Sequence, residues 1–188
     1  MLRKILAITL LSVTTLAAAD TLDIGLSNKT AQFKYGVPST LAGKSELYAE
    51  FMYNDANSVL GGVGLLVAND ELTAPGLTIG IGAKVVAASI KATPSRLNTS
   101  AVALGAQVRY ELPNERRVAF AGDVYFAPSI TTFGDADQYK QYGARAEFSV
   151  SPQVQIYAGY RKTWFTLKNS GGDAVLINGP HAGVQLSF

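Results

Sequence analysis

Residues 77–85 read Leu-Thr-Ile-Gly-Ile-Gly-Ala-Lys-Val. Leu77, Ile79, Ile81, Ala83 and Val85 fall on one parity, and Thr78, Gly80, Gly82 and Lys84 on the other. A period of two puts these sets on opposite faces of a β-strand. A sheet face that meets water is normally dense in large polar residues. Here the second face is small, with single charges, which suits the narrow interior of a closed barrel. The apolar face must then look outward, and in a barrel that requires lipid.

The same grammar recurs along the chain. Leu47, Ala49, Phe51 and Tyr53 oppose Glu50, and Val102, Leu104, Ala106, Val108 and Tyr110 oppose Gly105, Gln107 and Arg109. Val118, Phe120, Val124 and Phe126 oppose Ala119, Ala121 and Asp123; Tyr142, Ala144, Ala146, Phe148 and Val150 oppose Gly143, Arg145, Glu147 and Ser149. Val154, Ile156, Ala158 and Tyr160 oppose Gln155, Gly159 and Arg161, and Val184, Leu186 and Phe188 oppose His181, Gly183, Gln185 and Ser187. Tyr53, Tyr110, Phe126, Tyr142 and Phe148 lie near strand ends, where outer-membrane barrels carry aromatic girdles. Lys162 falls on the apolar parity beside Trp164, at a height where its ammonium can reach the outer interface.

The 188-residue chain has no cysteine, so disulfides cannot hold it together. Its net charge of +2 gives no reason to propose nucleic acid as a partner. Arg3 and Lys4, the apolar stretch from Ile5 to Leu16 and the small residues Ala17 to Ala19 form a secretory signal peptide, with cleavage expected between Ala19 and Asp20. The apolar stretch falls short of the roughly 20 residues a spanning helix needs. The expected organisation is a leader over 1–19 and one exported β-domain over 20–188.

Single-chain barrels of this kind have even strand numbers. With the C-terminal end in the periplasm, the turns alternate. Lys168 to Val175, Pro128 to Asp137, Ser89 to Thr99 and Asn54 to Asn57 are expected outside; Ser151 to Gln153, Leu112 to Arg116 and Asn69 to Gly76 are expected on the periplasmic side. Eight strands follow from Ser45 onward. Thr21 to Gly36 alternates too, with Asn28-Lys29 as a turn, and its apolar face needs a place to go. The expected fold is therefore an all-β, antiparallel, up-and-down transmembrane barrel of ten strands, with eight plus an appendage as the alternative.

The final strand resembles the C-terminal assembly signal of outer-membrane β-barrels: His181 as the polar residue, then Gly183, Leu186 and a terminal Phe188. Such a strand is suited to edge pairing with the barrel-assembly machinery, an expected partner during biogenesis. Met52 to Asp55, Gly82 to Lys84, Gly143 to Arg145, Ala158 to Arg161 and Asn178 to Gly183, running on to Phe188, together resemble the YfaZ family of outer-membrane proteins. The resemblance covers most of the chain after the leader and implies a bacterial outer-membrane location, with outer-membrane lipid as surroundings. It implies little about activity.

Function is then sought inside the barrel. Glu50, Lys84, Arg109, Asp123, Arg145, Glu147 and Arg161 share the inward parity. Unpaired buried charges are costly, so the preferred reading is a structural or interaction protein whose inward charges pair and fill the lumen. A narrow pore, biased toward small anions or polar solutes by Arg109, Arg145 and Arg161, is the alternative. A soluble periplasmic barrel binding an apolar ligand is the competitor for the fold. Catalysis is not expected: His181 is the one histidine, and no spacing fixes a nucleophile beside it. A lone His without Cys lacks the usual metal ligands, so neither metal nor cofactor is expected. Gly61-Gly62-Val63-Gly64 lacks the Lys-Ser/Thr of a phosphate loop and reads as a place of close approach within a strand.

Overall fold

The structure, a computed structural model, describes residues 20–69, 75–91, 96–168 and 172–188; the leader, with Ala17 and Ala19, lies outside them. The chain forms β1 (Thr21–Ser27), β2 (Thr30–Ser39), β3 (Ser45–Asn54), β4 (Ser58–Asn69), β5 (Leu77–Lys91) and β6 (Arg96–Leu112). It continues through β7 (Glu115–Ala127), a 3-10 turn (Ser129–Thr131), β8 (Thr132–Gly134), β9 (Ala136–Ser151), β10 (Val154–Leu167) and β11 (Asp173–Ser187).

All of these strands except β8 join in one closed antiparallel ring of ten. Each pairs with its sequence neighbours, and β1 closes on β11 from Thr21↔Ser187 to Ser27↔His181. Asp20 and Phe188 extend that seam by exchanging backbone hydrogen bonds of 2.8 and 3.0 Å. The N-terminal hairpin is thus part of the wall, and closure leaves no long unpaired edge. The short β8 continues the pairing of β6 above the point where β7 leaves it, at Thr99↔Gly134 to Ala101↔Thr132.

Through the lower part of the wall the parity expected from residues 77–85 holds. Phe51, Ile81, Leu104, Phe120, Val124 and Ile156 are exposed on the outside, whereas Glu50, Lys84 and Glu147 are buried within. A soluble periplasmic barrel does not fit, because this outward apolar band would face water with no second layer to cover it. The girdle residues Tyr53, Tyr110, Phe126, Tyr142 and Phe148 all point outward. Lys162 places its Nζ 4.5 Å from the Trp164 ring centroid.

The wall is taller than the band. A spanning strand needs about 9–11 residues, yet β5, β6, β9 and β11 have 15, 17, 16 and 15. The expected outer loops shrink accordingly. Ser89 to Thr99 is mostly a paired hairpin, with Ser89↔Asn98 and Lys91↔Arg96 in register, and only 92–95 fall outside the described residues. Asp173 to Val175 belongs to β11, and Pro128 to Asp137 holds the 3-10 turn, β8 and the start of β9.

The physical reason is a reversal of polarity along each strand. Below Val85 the outward positions are apolar; above it, Val86, Ala88 and Ile90 point inward and are buried, while Ser89 and Lys91 point outward. The same change occurs on β10, where Phe165 is buried and Thr166 faces out. The barrel therefore changes solvent. Its lower storey is apolar outside, as lipid requires, and its upper storey is apolar inside, as water requires.

This placement sets a test on β10. Ala158→Arg puts a charge within the outward band and should cost roughly 2–4 kcal/mol, whereas Lys162→Ala at the rim should cost about 0–1 kcal/mol. Urea titrations of the barrel refolded into phospholipid vesicles measure both; equal tolerance would mean that this face does not meet lipid.

Candidate functional site: the lumen

The interior divides at one level. Above lies an apolar stopper in which Leu60, Val86, Tyr125, Tyr139, Phe165 and Leu176 are all essentially inaccessible. The Tyr139 and Phe165 rings lie 4.9 Å apart at their centroids, a tilted stack across β9 and β10.

Lys84 sits directly beneath and is itself buried. Its Nζ donates to Glu50 Oε1 and to Gln141 Oε1, both at 2.8 Å, and lies 4.5 Å from the centre of the Tyr125 ring. Tyr139 donates its hydroxyl to the same Gln141 oxygen at 2.7 Å. The Lys84 stem fits because Gly64 faces it across the β4–β5 pair; a Cβ there would come within 2.9 Å of the Lys84 Cβ and strike the Tyr48 ring. The run Gly61 to Gly64 thus lies in a strand, and Gly64 makes room for two side chains.

From Gln141 the network descends. Its Nε2 donates to Asp123 at 2.6 Å, and the other Asp123 oxygen faces Arg161 Nη2 at 3.4 Å. Arg161 also donates to Gln32 on β2. Nearer the periplasmic end, Glu147 accepts from Arg109 at 2.7 Å and from Arg145 at 2.8 Å, and Arg145 reaches Asp23 at 2.9 Å. Tyr157 donates to Asp23 as well, and its ring lies 4.5 Å beneath the Arg145 guanidinium. These charged groups themselves line a cavity of about 440 Å³ that opens at the end carrying the chain termini, with Lys34, Glu46, Gln155 and Gln185 also among its walls.

Each of the seven inward charges named from the sequence, Glu50, Lys84, Arg109, Asp123, Arg145, Glu147 and Arg161, engages an opposite charge. The sequence reading missed Asp23, Lys34, Glu46, Gln141 and Tyr157. Asp23 was legible: it falls between Leu22 and Ile24 on the polar parity of β1. With it and the Lys34–Glu46 pair at 3.3 Å included, the arginine excess of the seven disappears.

In the C-terminal strand His181 and Gly183 face inward, and Leu186 and Phe188 lie on the outward parity. His181 is buried edge-on to Tyr157, with ring centroids 5.7 Å apart. Neither ring nitrogen makes a hydrogen bond among the described residues.

A closed ten-stranded wall, apolar outside at bilayer height and charged within, defines an integral β-barrel of the bacterial outer membrane. The sequence profile of the family described as YfaZ precursor matches residues 2–188, and the chain belongs to that family. It is 26% identical over 146 residues to the outer membrane protein YfaZ of Escherichia coli (strain K12), covering 76% of this chain and 74% of that protein. Among solved structures, the KdgM porin is similar at a TM-score of 0.45 and 9% identity, covering 91% of this chain and 99% of its own. Omp33 of Acinetobacter baumannii is similar at 0.37 and 12%, covering 90% and 97%.

The Lys84 pair sets a stability test. Lys84→Met leaves Glu50 buried without its cation and should cost roughly 3–5 kcal/mol, whereas adding Glu50→Met should recover much of that loss. Chemical unfolding of both variants in micelles, followed by the heat-dependent gel shift, measures the difference.

Proposed function

We propose that this protein is a closed outer-membrane barrel with a structural or interaction role, neither a conduit nor an enzyme. The observation that carries this reading is the apolar stopper above Lys84. A path through the lumen would have to part Tyr125, Tyr139 and Phe165, which are packed without accessible surface. Beneath them the charges are mutually neutralised, so no free row of cations remains to draw anions inward. Among the described residues, the cavity of about 440 Å³ that opens on the periplasmic side favours a pore, and it reaches up to Lys84, Gln141 and Tyr125, at the underside of the stopper.

The leader over 1–19 is removed on export, in keeping with the family description as a precursor. His181, Gly183, Leu186 and Phe188 then serve as the signal read by the assembly machinery. Support comes from β11 being the strand that seals the ring against β1, so its edge is the one left open before closure.

Planar-bilayer recording decides between stopper and pore. The wild-type barrel should give no single-channel steps, and Tyr139→Ala with Phe165→Ala should open a low conductance. Discrete anion-selective steps from the wild type would establish the pore instead.

A further inference from the structure

The outward face of β9 and β10 carries a cluster that the lumen does not explain. Trp164 stands at the eleventh position of β10 counted from Val154, about one bilayer crossing above the periplasmic end. Lys140 is its direct partner across β9, and Lys162 lies two residues below it, opposite Tyr142. Both ammonium groups turn toward the same indole: Lys162 Nζ is 4.5 Å and Lys140 Nζ 6.0 Å from its centroid. Tyr142 packs edge-on against it, with centroids 5.8 Å apart at 84°.

Two like charges drawn to one ring repel, and an anion held between them offsets that repulsion. Among the described residues neither lysine forms an ion pair, although almost every cation of the lumen does. On the neighbouring strand β11, Asp173 accepts from Thr166 at 3.1 Å. Lysine is a point-charge donor suited to phosphate, and an interfacial tryptophan fixes the height at which headgroups lie.

We propose that Lys140 and Lys162 clamp a phosphate of an anionic lipid headgroup in the outer leaflet, seated over Trp164. Acyl chains of that lipid run down the apolar face below, over Ala144, Ala158 and Tyr160, all exposed on the outward side. The lipid thereby supplies the counter-charge that the protein leaves out.

Trp164 is the only tryptophan, so its emission reports on the site directly. The barrel in neutral detergent micelles is titrated with bis-phosphorylated lipid A. A saturable change in Trp164 emission is expected, weakened about fivefold by Lys140→Gln or Lys162→Gln and about thirtyfold by both. Phosphate-free lipid A and inorganic phosphate should leave the emission unchanged. An identical titration in the double variant, or an equal response to phosphate-free lipid A, overturns the clamp. Saturation by inorganic phosphate alone overturns the lipid assignment. The unboiled gel band verifies folding of the variants. Wild-type titration at rising salt, which should weaken an exposed charge contact, tests the clamp without any substitution.

Discussion

An ammonium group buried at mid-height in the lumen sets the terms for everything around it. Lys84 cannot remain charged there without acceptors, and the cost of leaving it unpaired exceeds that of any single apolar contact nearby. Glu50 on β3 and Gln141 on β9 supply those acceptors from strands on either side of β5, so the contact braces the ring across its interior. Gly64 gives the stem space, and the Tyr125 and Tyr139 rings cap the ammonium from above. Gln141 passes the constraint downward through Asp123 to Arg161 and on to Gln32. A side-chain network of this kind couples the positions of the strands it joins more firmly than the same count of isolated pairs.

Lys84 also marks the level at which the two storeys meet. Below it the outside must be apolar, and the only place left for polar side chains is the lumen. Above it the outside meets water, and the lumen takes the apolar residues as any water-exposed β-structure would. The stopper is therefore the ordinary core of the part that stands clear of the bilayer. One parity rule, applied against two solvents, accounts for both the charged chamber and the apolar packing above it.

Residues 77–85, with their apolar and small faces, were enough to read the lower storey, and the alternation of Thr21 to Gly36 was enough to count ten strands. The upper storey was harder to read because its signal is inverted. Ser89, Lys91, Arg96 and Asn98 are polar on the parity that is apolar further down, so the hairpin resembled a loop. The inward charges were legible from parity alone, but their partners were not. Arg145 and Asp23 are 122 residues apart, and only ring closure brings β1 beside β11 and across from β9. Local pattern reports which way a side chain points; it carries no information about what stands opposite in the lumen.

That separation gives the seam a particular role. Asp23 lies on β1, next to the closing pair, and receives Arg145 from β9 and Tyr157 from β10. Until β1 meets β11, Arg145 lacks that carboxylate and is left with Glu147, which it shares with Arg109. Sealing the wall and completing the contacts of Arg145 are consequently one event. The same contact guards the register, because a slip of one residue at β1 would turn Asp23 toward lipid and Leu22 and Ile24 toward the charges. Backbone pairing alone would tolerate neighbouring registers along the short, seven-residue β1. The charge arrangement does not, so the barrel closes in the single register in which every strand presents the correct face to both of its solvents.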